Sequence, residues 1–99
     1  MTSELILAPE AEADIAEARD WYDARRSGLG AEFLAEMHLA FAKIEKNPLQ
    51  YQISWQHFRS VVLARFPYNV IYSASSGVIR IVACVHGKRD PNVWRERVP

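Results

Sequence analysis

Two hydrophobic periods divide this chain of 99 residues, and the change between them falls at Pro48. In the first half Ala11, Ile15, Ala18 and Tyr22 recur at steps of four, three and four, the spacing of one helical face. Pro9 suits the first position of that helix, where its missing N–H costs nothing. Glu10, Glu12 and Asp14 place negative charge at the positive end of the helix dipole. Ser27-Gly28-Leu29-Gly30 predicts the stop. A second helix is expected over residues 31–46, with Phe33, Met37, Ala40 and Ile44 as its stripe and Leu34 and Phe41 widening it. Lys46, Asn47 and Pro48 form a C-terminal stop: a cation in the last turn, a residue tolerant of left-handed backbone, then a breaker. A connection this short makes the two helices an antiparallel hairpin.

Beyond Pro48 the period becomes two. Residues 59–65 are rich in β-branched side chains, Pro67 interrupts, and residues 68–72 and 78–85 flank the turn Ser75-Ser76-Gly77. The pattern predicts an antiparallel meander of three strands, with Glu4–Leu7 as a strand added at one edge. Strict alternation places Ile79, Ile81, Ala83 and Val85 on one face of the last strand. It places Val78, Arg80, Val82, Cys84 and His86 on the other. The expected fold is α+β and two-layered, a helix hairpin packed on one face of a small curved antiparallel sheet. Ninety-nine residues allow one domain, residues 1–99, with little stability to spare.

Composition narrows the class. Hydrophobic residues at 49% and charged residues at 24% are ordinary for a globular protein, not for a disordered one. No apolar run approaches the ~20 residues that span a bilayer, and the opening MTSELILAPEAEAD has no basic n-region. One cysteine, Cys84, forms no internal disulfide and supports no zinc site. A cytoplasmic protein without metal or cofactor is the expectation.

The net charge of zero conceals a division. Residues 1–46 carry ten acidic and five basic side chains, whereas residues 47–99 carry two and seven. The C-terminal half is therefore cationic, and its final stretch, HGKRDPNVWRER, concentrates Lys88, Arg89, Arg95 and Arg97 around Trp94. Asp90-Pro91 reads as a turn, and the residues after it as an extended or short helical segment docking through Val93 and Trp94. The stretch becomes a basic strap anchored by its tryptophan.

Several short motifs occur in a specific order: Asp14 within residues 11–15, Trp21-Tyr22 late in the first helix, and Asn47-Pro48 closing the second. Arg59 opens a strand that leads into Phe66-Pro67-Tyr68-Asn69-Val70-Ile71-Tyr72. Val85-His86, Arg89-Asp90-Pro91 and Trp94 follow. In that order and spacing, over nearly its whole length, the chain resembles the RelE/ParE toxin superfamily of type II toxin–antitoxin systems, and its ParE-like branch in particular. The resemblance implies a cognate antitoxin whose C-terminal segment wraps the toxin in a hetero-oligomer. It implies DNA gyrase as target for a ParE-like toxin, or the ribosome and its mRNA for a RelE-like endoribonuclease.

Metal-free RNA cleavage needs a base, an acid and cations around one phosphate. Arg59, Arg80 and His86 are the residues able to supply them. However, Arg80 and His86 are six residues apart, roughly 20 Å along a strand, and the chain lacks the strong basicity that ribosome binding demands. Target contact is expected instead from Arg59, Arg65, Arg80, His86, Lys88, Arg89, Trp94 and Arg95. Each also has a structural reading. Arg59 fits a salt bridge to Asp14 or Glu17, and His86 a ring bonded to a neighbouring backbone group. Arg65 and Arg80 fit a basic sheet face that meets an acidic antitoxin tail, and Tyr68 and Tyr72 fit the core. A non-toxic binding member of the family is the third reading.

Overall fold

The computed structural model describes residues 4–99. Strand β1 (Glu4–Leu7) leads into helix α1 (Pro9–Arg25), then helix α2 (Leu29–Lys46). Strands β2 (Ile53–Trp55), β3 (Phe58–Val62), β4 (Tyr68–Ser75) and β5 (Val78–His86) follow, and a short helix α3 (Asn92–Arg95) closes the chain. The helix hairpin ends and restarts within a few residues. Gly28 takes a left-handed φ of 89° that a side chain would resist. Neither Gly28 nor its neighbours cap α2 with a side chain. Asp23 does so from α1, accepting the N–H groups of Gly28 and Gly30 at 2.9 and 3.3 Å. Gly30 also lets the helices touch, since a Cβ there would stand 2.7 Å from the Arg19 carbonyl oxygen. Helix α2 consequently starts two residues before the expected residue 31.

The hairpin packs through the side chains that the helical period singles out. Ala11, Ile15 and Ala18 of α1 and Phe33, Met37, Ala40 and Ile44 of α2 are all buried. With Val70, Tyr72, Ile79, Ile81 and Cys84 of the sheet they form the main core, and Tyr68 packs at its margin. The two-layer α+β arrangement is the one expected. The five strands run in the order β1-β5-β4-β3-β2. Strands β3, β4 and β5 make the antiparallel meander, but β1 lies parallel to β5, Leu5 beside Ile79 and Leu7 beside Ile81. The sheet is thus mixed, and the chain between the parallel strands runs through the helix hairpin and then β2, β3 and β4. Strand β2 is an addition, and β3 stops at Val62, short of Arg65.

A bulge changes the faces of β5. Tyr72 of β4 pairs with Ile81, whereas the preceding Ile71 pairs with Ala83, so Val82 is an extra residue on β5. Before the bulge Ile79 and Ile81 face the helices; after it Cys84 does. Ala83 and Val85, expected beside Ile81, instead join Val82, Ile71, Phe58 and Trp94 in a second core on the opposite face. Strict period-two alternation fails here by one residue, which is enough to exchange the sides.

Candidate functional site

The basic C-terminal stretch is a strap laid over the second core. At its start the His86 ring accepts the Lys88 N–H through Nδ1 at 3.0 Å, and the His86 carbonyl accepts the Arg89 N–H at 3.0 Å. Asp90 then takes the Asn92 N–H at 2.9 Å and starts α3. Trp94, only 3% exposed, enters the second core and meets Trp55 edge-on at 5.4 Å between ring centres. Its role as anchor follows from that burial. The Arg95 guanidinium lies over the Trp55 ring at 5.1 Å and the Trp94 ring at 5.7 Å. Its Nε has no hydrogen-bond partner, and the indole faces are what it rests against.

Arg97 fastens the far end. Its guanidinium grips the Asp14 carboxylate with two hydrogen bonds, at 2.7 and 2.9 Å, and donates to the Val82 carbonyl at 3.3 Å. Asp14 also accepts the Cys84 N–H at 3.0 Å. The position explains the need. Strand β1 accompanies β5 only to Ile81, whose carbonyl takes the Ala8 N–H, because α1 then turns away. Val82 and Cys84 would otherwise present bare edge groups beside the bulge, and the Asp14–Arg97 pair continues the ladder there with side chains. Asp14 holds the Arg97 guanidinium above the usual arginine range. Burial, followed by the Asp14 charge, pushes the Cys84 thiol well up, so it stays neutral.

The expected site residues separate into two sets. Arg80 alternates with Ile79 and Ile81 and is exposed on the outer face, whereas His86 follows Cys84 on the helix-side face. The bulge has put them on opposite sides of the sheet, where no phosphate meets both. Arg59 is half-buried in β3, and its guanidinium donates to the carbonyls of Leu49 at 3.2 Å and Tyr51 at 2.6 Å. The carboxylate partner expected for it is not there, since Asp14 belongs to Arg97. Arg65 lies in the loop after β3 rather than on the sheet, and pairs with Glu32 of α2 at 2.8 Å. Arg26 grips the same carboxylate at 2.9 Å. A basic sheet face built from Arg65 and Arg80 therefore does not form. His86, Lys88, Arg89, Trp94 and Arg95 all lie on the strap or at its root, but on two sides of the sheet: His86 and Arg89 line a cleft beside α1, whereas Trp94 and Arg95 pack on the second core.

A cleft of about 250 Å³ opens where α1 passes the end of β5. Trp21, Tyr22, Tyr68 and His86 supply its aromatic walls, Ala18 and Cys84 its apolar lining, and Asp14, Glu17 and Arg89 its charges. Tyr22 meets Trp21 edge-on at 5.1 Å and Tyr68 at 6.0 Å; Tyr68 meets His86 at 5.4 Å. Both phenols are held above the usual tyrosine range by burial. The Trp21-Tyr22 pair and the α1 residues before it mark one side of this cleft in the sequence, but the other side comes from Tyr68, Cys84, His86 and Arg89, far along the chain. Among the described residues no group of three His, Cys, Asp or Glu side chains is placed to hold a metal ion. None of their helices is long and apolar enough to cross a membrane.

A family model described as the ParE toxin of the type II toxin–antitoxin system parDE matches residues 5–91. Among solved structures, the chain is similar to one described as the chromosomal ParDE toxin–antitoxin system from P. aeruginosa, with a TM-score of 0.77 at 15% identity. That match covers 86% of this chain and 96% of the other, a likeness of fold. No curated protein matches the chain in sequence.

Proposed function

The chain belongs to the ParE toxin family of type II toxin–antitoxin systems, and from that premise we propose that it is a cytoplasmic toxin that acts by binding DNA gyrase. A cognate antitoxin encoded beside it holds it inactive in a hetero-oligomer. The observation that carries the reading is the separation of Arg80 from His86 by the β5 bulge. With Arg59 turned to two backbone carbonyls, the groups that metal-free RNA cleavage needs do not converge. What remains is a set of basic side chains on the strap: Lys88 and Arg89 exposed at its root, and Arg95 on the Trp55 and Trp94 rings, with Trp94 and the Asp14–Arg97 pair fastening the segment. Such a set supports binding rather than bond-breaking.

The antitoxin has an apolar place to dock. Leu39 of α2 and Val62 of β3 are 57% and 66% exposed, and both line a seam between those elements. An amphipathic segment would cover it. The basic face expected from Arg65 and Arg80 does not form, and an acidic antitoxin tail would instead meet the exposed Lys88 and Arg89.

The test is a supercoiling assay with purified gyrase and the toxin freed of antitoxin. Loss of supercoiling with trapped cleavage complexes supports the reading, and unaffected supercoiling removes it. Ribosome-dependent mRNA cleavage would appear as in-frame cuts in primer extension after induction. A non-toxic member would leave growth unchanged when induced without antitoxin.

A further inference from the structure

The cleft beside α1 shares His86 and Arg89 with the root of the strap and is separate from the seam between α2 and β3. Its rings are partly accessible, since Trp21 is 52% exposed and Tyr22 and Tyr68 are half-buried. Trp21 already carries one cation, with the Arg25 guanidinium 4.3 Å from its ring centre. Two carboxylates and one guanidinium line the space. Asp14 is neutralised from behind by Arg97, but Glu17 has no ion-pair or hydrogen-bond partner among the described residues. We infer that this cleft receives the guanidinium of an arginine side chain from a partner polypeptide.

Three observations favour that occupant. Electron-rich rings beside an unmatched carboxylate attract a cation, and a planar guanidinium stacks on rings as well as bonding to carboxylate. At about 250 Å³ the space falls below the range of drug-sized ligand pockets, which fits one side chain rather than a nucleotide or cofactor. At Tyr68 the Glu17 carboxylate outweighs the Arg89 charge. After burial and Tyr22, Glu17 does more to hold the Tyr68 phenol above its usual range than Arg89 does to lower it. Arg89 is exposed at the rim and screened by solvent. Only the identity of the donor, an antitoxin segment, rests on the toxin–antitoxin reading; the cation site stands on the cleft itself.

The test uses the full chain without any partner. N-acetyl-arginine amide is titrated to its solubility limit while the indole N–H signals of the three tryptophans are followed by NMR. N-acetyl-glutamate amide and N-acetyl-leucine amide are the controls. A saturable shift of the Trp21 signal with the arginine probe alone is expected, leaving Trp55 and Trp94 unmoved. Glu17→Gln should weaken it at least threefold, and Arg89→Ala should strengthen it. No saturable shift, an equal response to all three probes, or a preference for the glutamate probe abolished by Arg89→Ala would each overturn the inference. Failure here leaves the gyrase assay untouched, and failure there leaves this titration untouched.

Discussion

Asp14 and Arg97 are 83 residues apart in the chain and joined by two hydrogen bonds, the shorter 2.7 Å long. Together they complete the edge of β5 where β1 has left it, and they fix the end of the strap. Their side chains are 8% and 19% exposed, so removing one partner strands the other in a poorly solvated place. Breaking a fully buried pair costs roughly 3–5 kcal/mol; with partial exposure, Arg97→Met should cost about 2 kcal/mol. In a domain this small that lowers Tm by roughly 10 °C. Asp14→Ala should cost more, because the Cys84 N–H also loses its acceptor. Thermal unfolding of both single variants and the double variant measures this, and simple additivity would contradict it.

Trp94→Ala should be the most damaging change in the strap. The ring fills a pocket among Phe58, Ile71, Val82, Ala83 and Val85, and its loss should cost about 3–5 kcal/mol. Urea denaturation reads the loss directly. A change below about 1 kcal/mol would mean that the second core does not depend on the anchor.

Cys84 should be inert in the folded protein. Burial raises its thiol well above the ordinary value of roughly 8.5, so almost no thiolate exists at pH 8 and the sulfur is covered. Labelling by iodoacetamide should run at least about a hundredfold slower than in urea, following openings of the α1–β5 seam. The linkage has a definite sign. A thiol raised on folding contributes stability below its unfolded pKa and loses it as pH rises toward the folded one. Tyr22, Tyr68 and Tyr72, raised by burial, act in the same direction. Stability should therefore decline above roughly pH 8.5, and Cys84→Ala should soften the onset.

Glu32 governs the acid side. Hydrogen bonds from Arg65 and then Arg26 hold its carboxyl below the usual glutamate range. A carboxyl lowered on folding contributes stability above its unfolded pKa and loses it as pH falls through the folded one. The Tm of Glu32→Gln should lie below that of the natural chain at pH 7. The two should converge only below the ordinary glutamate value of about 4.3. Both arginines and Glu32 are near the surface, so added salt should narrow the gap at pH 7 as well. A salt-independent gap would refute the pairing.

The helical half was legible because its signal is local. The burial of Phe33, Met37, Ala40 and Ile44 follows from spacing alone, whichever sheet they meet. The strands were legible until Val82. A single inserted residue exchanges the faces beyond it, and no side chain near Val82 announces it. The bulge is stabilised by Asp14 and Arg97, which reach it from opposite ends of the sequence. The same distance hid the site. Arg59 sits on the strand its β-branched neighbours predict, yet its partners are carbonyls of a loop whose path no periodicity reports. Strand β2 escaped because Ile53-Ser54-Trp55 is too short to show alternation. Trp94, by contrast, could be read as an anchor from the cost of leaving an indole in water.

We propose that the Trp94-anchored basic strap is a target-contact surface for gyrase. The direct measurement is supercoiling by purified gyrase, titrated with antitoxin-free toxin and with a folded Arg89→Glu/Arg95→Glu variant. The natural chain should abolish supercoiling and trap cleaved DNA, and the variant should need at least about tenfold more protein, the equivalent of roughly 1.4 kcal/mol of binding. Undiminished supercoiling with the natural chain, or equal potency of the two proteins, would contradict the account.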